Sequence, residues 1–365
     1  MTSECRDLKL LRYKGCMLGA ILGDALAMPC EMMSSRSPEP LRFRKPYRGH
    51  PNDKLLPGQY TDDGQIILMS ARILAERQHG FGCSDYAKEL LRTHTLHKFR
   101  YADGAVIAAC KKMEASGNLL NSGINSETAG CIALAIPFAL AYTDRKTMAQ
   151  DLAEACAVTH TSDAAAAGTI GLALMLHTLI DTGNLTAALA SLDTAAEHLY
   201  PELAVRLSYA HRAADEQIPV STVAVTIGTS SQVTQILPLA VYLCRRISDP
   251  AELLATAISC GGNCGTVAMI CGAIAGSRFG IDALPESLIK EVERAGIFEE
   301  LAVSLCNRAY PPEEKPTEEK TETELEEGTA DTANANIEAE VTEKETEEQP
   351  NSENSQKSTD DANAS

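Results

Sequence analysis

The sequence predicts an all-α protein, a compact orthogonal multi-helix domain over residues 8–308 followed by a disordered acidic tail over 311–365. Three observations predict it. Between Leu8 and Asn307 apolar residues recur at three- and four-residue intervals in nearly every informative window. Alternating β-branched runs closed by tight hairpin signals are almost absent. From Pro311 to Ser365 there are eighteen acidic and four basic residues, no aromatic residue and no cysteine. Such a composition cannot bury enough apolar surface to offset chain entropy.

In the first helix, Met17, Leu18, Ile21, Leu22, Ala25 and Leu26 make an apolar face, while Gly15, Gly19 and Gly23 recur every fourth residue. A glycine row lets a second backbone come close. A second helix is predicted from about Asp63 to Arg77, with Ile66, Ile67, Ser70, Ile73 and Leu74 on one side. Met32 to Tyr60, rich in Arg, Pro and Gly, is too long for a mere connector and reads as a functional loop. Periodicity then predicts helices at Ser84–His94, Gly104–Ser116, Ala129–Ala141, Thr147–Val158, Asp163–Thr178, Leu185–His198 and Pro201–Ala214, and further ones at Val233–Arg245, Pro250–Ser259, Thr266–Arg278 and Pro285–Ala295.

Charge divides as the fold does. The tail holds a net −14 of the total −18, so the first 310 residues sit near −4. A nearly balanced body without a Lys/Arg stripe argues against nucleic acid as a direct partner, and leaves the tail as a solubilising extension or an arm for another protein. The apolar stretches Ile132–Tyr142 and Ala164–Leu176 fall short of the ~20 residues that span a bilayer, so no membrane partner is expected. Met1–Lys9 alternates in charge and polarity, unlike a secretory signal. The twelve cysteines lie scattered in apolar segments without a Cys-x-x-Cys pair, which predicts buried free thiols and a cytoplasmic location.

Four polar or glycine-rich segments beside apolar helices could carry chemistry. Thr61-Asp62-Asp63 offers three hard oxygen donors suited to Mg²⁺ or Mn²⁺, and equally offers a helix start favoured by capping and the helix dipole. Glu31, after Gly23-Asp24, could move protons at the end of an apolar helix, or could be a solvated loop residue. His160-Thr161-Ser162-Asp163 reads as a site or as an N-cap. Gly261-Gly262-Asn263-Cys264-Gly265-Thr266 reads as a site or as an interhelix loop.

In order and spacing these segments resemble the ADP-ribosylglycohydrolase family, of which dinitrogenase reductase-activating glycohydrolase is a member. The resemblance covers about Tyr13 to Phe279. Gly15 through Glu31 is similar to the family's first helix, a G-x-x-x-G-x-x-x-G-D run ending at a catalytic Glu. Gly58 to Asp63 resembles its T-D-D-T metal segment, Val158-Thr159-His160 its T-H segment, and Gly261 to Thr266 with Gly272 to Gly276 its G-G-D-T-D-T…G-A-I-A-G closing motif. Gly228-Thr229-Ser230 with Leu237 to Ala240 fits the helix before it. The resemblance implies an all-helical fold whose cleft binds ADP-ribose and two Mg²⁺ or Mn²⁺ ions. Carried over by position, Glu31, Asp62 and Asp63 are catalytic, Thr61, Asp62, Asp63, Asn263 and Thr266 bind metal, and Gly130, His160 and Ser162 meet the substrate.

The sequence departs from that pattern at four points. Two closing aspartates are Asn263 and Gly265, position 64 is Gly64, and an expected arginine is Leu134. Hard cations need carboxylate charge and ligand count to offset dehydration, so one ion is expected rather than two. The first functional expectation is a hydrolase that releases ADP-ribose, or a related ribosyl group, from a protein side chain or small acceptor. The second is a degenerate member that binds ADP-ribose or a nucleotide without cleaving it. The third is a helical body reused for assembly.

Overall fold

The computed structural model describes residues 3–311. The acidic stretch from residue 312 onward, to which the tail expectation applies, lies outside the described residues. Fifteen α-helices run in order: α1 (Ser3–Ala27), α2 (Asp62–Glu76), α3 (Cys83–Thr95), α4 (Gly104–Ser116), α5 (Ala135–Ala141), α6 (Arg145–Ala157), α7 (Asp163–Thr182), α8 (Leu185–Leu199), α9 (Pro201–Asp215), α10 (Val220–Ile227), α11 (Val233–Arg246), α12 (Pro250–Ser259), α13 (Cys264–Phe279), α14 (Glu286–Glu291) and α15 (Ala295–Ala309). Among the described residues β-pairing is confined to two isolated bridges, Ile124 with His160 and Thr128 with Gln232. The all-α prediction therefore holds.

Several starts follow capping chemistry. Asp103, Asp144, Asn184 and Asp249 accept a backbone N–H in the first turn of α4, α6, α8 and α12. Gly117 and Gly183 end α4 and α7 in the left-handed conformation that suits a helix stop.

The antiparallel pair α1 and α13 is the most extensive helix contact. A Cβ on Gly15, Gly19 or Gly23 would collide with the backbone of Gly276, Gly272 or Ala268, and one on Gly272 or Gly276 would collide with Gly19 or Gly15. The glycine row thus meets a second small-residue row, and the two backbones touch. At its C-terminal end α1 delivers Asp24 and then Glu31. The N-terminus of α13, on the partner of that end, delivers Asn263 and Thr266. The site lies where the pair is clamped.

The structure departs from the predicted elements in several places. The predicted helix Ala129–Ala141 is a turn, a short 3₁₀ segment at Ile132–Leu134 and then α5. Pro285–Ala295 shrinks to Glu286–Glu291, because Val292 turns to extended backbone and ends the helix, and Arg294, φ 59°, then begins α15. Helix α10 was not predicted, since Val-Ser-Thr-Val-Ala-Val-Thr-Ile is β-branched and short, yet Val223, Ala224 and Ile227 make a buried helical face. Helix α15 is likewise absent from the predicted elements, although Phe298, Ala302, Leu305 and Cys306 have helical spacing. Helix α7 is longer than its apolar core suggested. Its 20 residues are long and apolar enough to cross a bilayer, but 78% of the apolar window is buried within the body, as in the core helix of a packed protein. Apart from Cys5 and Cys83, the cysteines are buried thiols.

Candidate active site

The site is assembled from Asp24 outward. Its carboxylate, fully buried, accepts from the Thr61 N–H (3.0 Å), the Thr61 hydroxyl (2.8 Å) and the Gly64 N–H (2.9 Å). Thr61 therefore spends its hydroxyl proton on Asp24 and makes no side-chain cap on α2. The simple capping account of Thr61-Asp62-Asp63 is not realised. Gly64, a departure from the family pattern, has its own reason, because a Cβ there would enter the Tyr60 ring.

Asp62 and Asp63 open α2 side by side and are buried. Asp62 Oδ2 accepts from the Asp103 N–H at 3.1 Å, and the Asp62 N–H donates to the Arg100 carbonyl at 3.1 Å. From the facing helix, Thr266 Oγ1 lies 2.8 Å from both Asp63 Oδ2 and Asn263 Oδ1. Asn263 also caps α13 by accepting from the Thr266 N–H, so the change from aspartate keeps the cap and loses the charge. Glu31 follows a 3₁₀ turn, Met28–Cys30, and is 8% exposed. The long loop folds back to hold it: His50 Nε2 contacts the Glu31 carbonyl oxygen at 2.8 Å, and Asn52 Nδ2 donates to Glu31 Oε2 at 3.4 Å. Both loop residues are buried.

Glu31, Asp62, Asp63, Gly130, Asn263 and Thr266 line one cavity of about 230 Å³; Thr61, whose hydroxyl is bonded to Asp24, is not in the lining. His160 and Ser162 do not line it. His160 is buried, within 3.1 Å of the Thr128 hydroxyl and 3.4 Å of Asp103 Oδ1, and Ser162 precedes α7. Leu134 is fully buried in the apolar core, where an arginine could not be solvated. Asp103, Met32, Tyr101 and Ser231 also line the cavity. Sequence reading missed them; only Asp103-Gly104, a cap before a helical run, left a signal.

The electrostatics are those of crowded buried acids. Burial, then the charges of Asp24 and Asp63, pushes Glu31 up to about 8. Burial and the Asp24 charge raise Asp63 to about 8 against the Thr266 hydrogen bond. Asp62 is driven well above the usual carboxylate range by burial and then by Asp63 and Glu31. His160 runs the other way: burial opposes its charge, but Cys131 and Asp103 outweigh burial and push it up to about 10.

Unneutralised carboxylates beside neutral hydroxyl and amide oxygens form a donor set whose chemistry fits a hard divalent cation. Among the described residues no three His, Cys, Asp or Glu side chains converge closely enough to chelate a metal alone. Any cation held in this cavity would have to draw on the oxygens of Asn263 and Thr266 as well. Gly265 contributes no donor, and a Cβ there would sit 2.9 Å from Glu31 Oε1.

The profile of the ADP-ribosylglycohydrolases matches residues 6–315. The chain belongs to the ADP-ribosylglycohydrolase family. This family consists of glycosidase-type, generally metal-dependent hydrolases. Among its relatives is an uncharacterized protein of Archaeoglobus fulgidus, 26% identical over 296 residues, which cover 80% of this chain and 95% of the relative. Another is the uncharacterized protein YegU of Escherichia coli K12, 24% identical over 329 residues, which cover 78% and 93%. A solved structure titled "ADP-ribosylglycohydrolase-related protein complex" has the same fold, with a TM-score of 0.68 and 23% identity over 83% of this chain and 99% of that one. Three of the four polar segments meet at the cavity, through Glu31 after α1, Asp62 and Asp63 at the start of α2, and Asn263 and Thr266 at the start of α13, while the His160 segment stays behind Asp103.

Proposed function

We propose that the protein is a metal-assisted hydrolase that cleaves the ribosyl bond between ADP-ribose, or a related ribosyl group, and a protein side chain or small acceptor. The observation that carries this reading is the convergence of Glu31, Asp62 and Asp63 with Thr266 and Asn263 on one cavity. One Mg²⁺ or Mn²⁺ fits better than two, held by Thr61, Asp62, Asp63, Asn263 and Thr266, because position 265 has no donor. When bound, the ion supplies positive charge that orients ribose hydroxyls and acidifies water. Asp24 fixes Thr61 and the start of α2, so the donors are positioned before any ligand arrives. Glu31, held by Asn52 against the cavity wall, is the carboxyl group able to take or give a proton at a water approaching the anomeric carbon. Gly130 gives a side-chain-free wall for the sugar, and His160 and Ser162 act from behind through Asp103 and the start of α7. The buried thiols fit a reducing cytoplasm, and neither nucleic acid nor membrane is proposed as a direct partner.

Calorimetric titration tests the site. Mg²⁺ or Mn²⁺ should bind the wild type and fail to bind Asp62→Ala; absence of binding at millimolar metal would argue for a non-catalytic role. Release of ADP-ribose from modified Arg, Ser and small acceptors tests turnover, which Glu31→Gln should reduce by about 10²-fold or more. Gly265 and Leu134 favour a second reading, a member that binds the ligand without cleaving it. Metal and ligand binding with no product release in any of these assays would select it.

A further inference from the structure

Two large side chains, Met32 and Tyr101, stand at the rim of the cavity, 62% and 45% exposed. Both have left-handed backbone, φ 60° and 57°. His97 and Gln217 share that conformation just beyond α3 and α9, where it is an ordinary way to end a helix. Met32 and Tyr101 are held in it by the site itself. The Met32 N–H donates to the Gly262 carbonyl at 2.7 Å. At Tyr101, the residue before it and the second residue after it are tied to Asp62, through the Arg100 carbonyl and the Asp103 N–H. Strained residues persist where surrounding structure over-determines them.

What lies between the two residues defines a ligand. The cavity is lined by four carboxylates, Glu31, Asp62, Asp63 and Asp103, and by no lysine or arginine. A pyrophosphate would find no fixed cation in the lining to receive it. Ribose hydroxyls, in contrast, are donors matched to carboxylate oxygens. The walls at Ala102, Gly104 and Gly130 carry little bulk, but about 230 Å³ is smaller than the ~300–1,000 Å³ of pockets that enclose drug-sized ligands. The rim offers an aromatic ring and a thioether, both suited to a flat π-face.

We propose that this site takes an uncharged N-riboside in preference to ADP-ribose, with the ribose on the carboxylate floor and a planar heteroaromatic base on C1′ gripped between Met32 and Tyr101. This names the substrate class of the hydrolase reading and rests on it for turnover, but not for binding. In hydrolysis the water oxygen bonds to C1′ and the C1′–N bond breaks. The bond's electron pair leaves with the base nitrogen, which takes up the proton the water loses. The products are free ribose and free base.

The test uses the full chain with Mg²⁺ present and formycin A, an adenosine analogue whose pyrazolopyrimidine base is carbon-linked and therefore cannot be released. Calorimetry should show formycin A binding about tenfold or more tighter than ribose, and tighter than ADP-ribose. Met32→Gly and Tyr101→Gly should each lose about tenfold or more in formycin affinity and leave ribose affinity in place, while melting higher, because glycine accepts positive φ without strain. Tyr101→Leu, which keeps a side chain at this position but removes the ring, should lose formycin affinity and keep ribose affinity, which keeps the test available if a glycine variant misfolds. ADP-ribose binding tighter than formycin A, no formycin binding, or glycine variants with wild-type affinity would overturn the proposal. Reducing-sugar release from inosine and other purine or pyrimidine ribosides separates the two claims. Formycin binding with the expected variant pattern and no sugar release leaves the clamp standing and removes the hydrolase reading; cleavage of ADP-ribosyl acceptors that formycin A does not inhibit does the reverse.

Discussion

Asp24 shows how much of the site is held by a residue that does not line it. Its carboxylate receives three buried hydrogen bonds from Thr61 and Gly64, and leaving such donors unsatisfied costs about 1–3 kcal/mol each. Asp24→Ala is expected to lower the melting temperature and to abolish Mg²⁺ binding in calorimetry; unchanged metal affinity would refute its organising role. Protonation provides a second expectation at this scale. Glu31 and Asp63 are raised to about 8 and Asp24 to about 6, chiefly by burial. Each binds more protons folded than unfolded between its ordinary value and its raised one, so the associated stability is complete at low pH and is lost as pH rises from about 4 to about 8. The metal-free protein should melt at a higher temperature at about pH 5 than at about pH 8, and Mg²⁺ should narrow the difference; a melting temperature that climbs across that window would contradict it. Gly265→Asp gives a third. The new Cβ meets Glu31, so the metal-free variant is expected to lose about 1–3 kcal/mol in denaturant unfolding, and to gain a larger Mg²⁺-induced rise in melting temperature only if Glu31 yields. Acids and glycines of this kind were legible in the sequence because their residue types are chemically distinctive. Met32, Tyr101, Asn52 and His50 were not, since an exposed methionine, a loop tyrosine and two loop polar residues acquire their roles only from what folds against them.

At the scale of elements, α1 and α13 oppose helix propensity to packing. Alanine normally stabilises a helix by about 1 kcal/mol over glycine, yet a methyl at Gly19 or Gly272 has no space between the two backbones. Gly19→Ala is expected to destabilise by about 1–3 kcal/mol or more in urea unfolding, and a stabilised variant would mean the helices can part freely. The every-fourth-residue glycines announced this contact in the sequence, but not its partner, because the matching row at Gly272 and Gly276 lies some 250 residues away. Long amphipathic helices were equally legible from their 3.6-residue period. Helix α10 was hidden by β-branched residues whose local preference is overridden by burial. The turn at Ala129–Cys131 was hidden for the opposite reason, since a uniformly apolar segment has no period to read.

Across the molecule, the order of the polar segments was visible in the sequence, whereas the distances that bring three of them to one cavity and leave the His160 segment outside its lining were not, because these depend on how far apart helices settle. In α1 and α13 that separation is set by main chain against main chain. Amide exchange should therefore find the facing turns around Gly19 and Gly272 among the slowest in the body, and the rim near Met32 and Tyr101 among the faster ones. A joint made of peptide backbone has no rotamers to rearrange when a neighbouring residue is replaced. The gap between Glu31 and Thr266 should accordingly keep its width through drift at positions 263 and 265, so that such a frame can lose one ligand chemistry and acquire another without first being rebuilt.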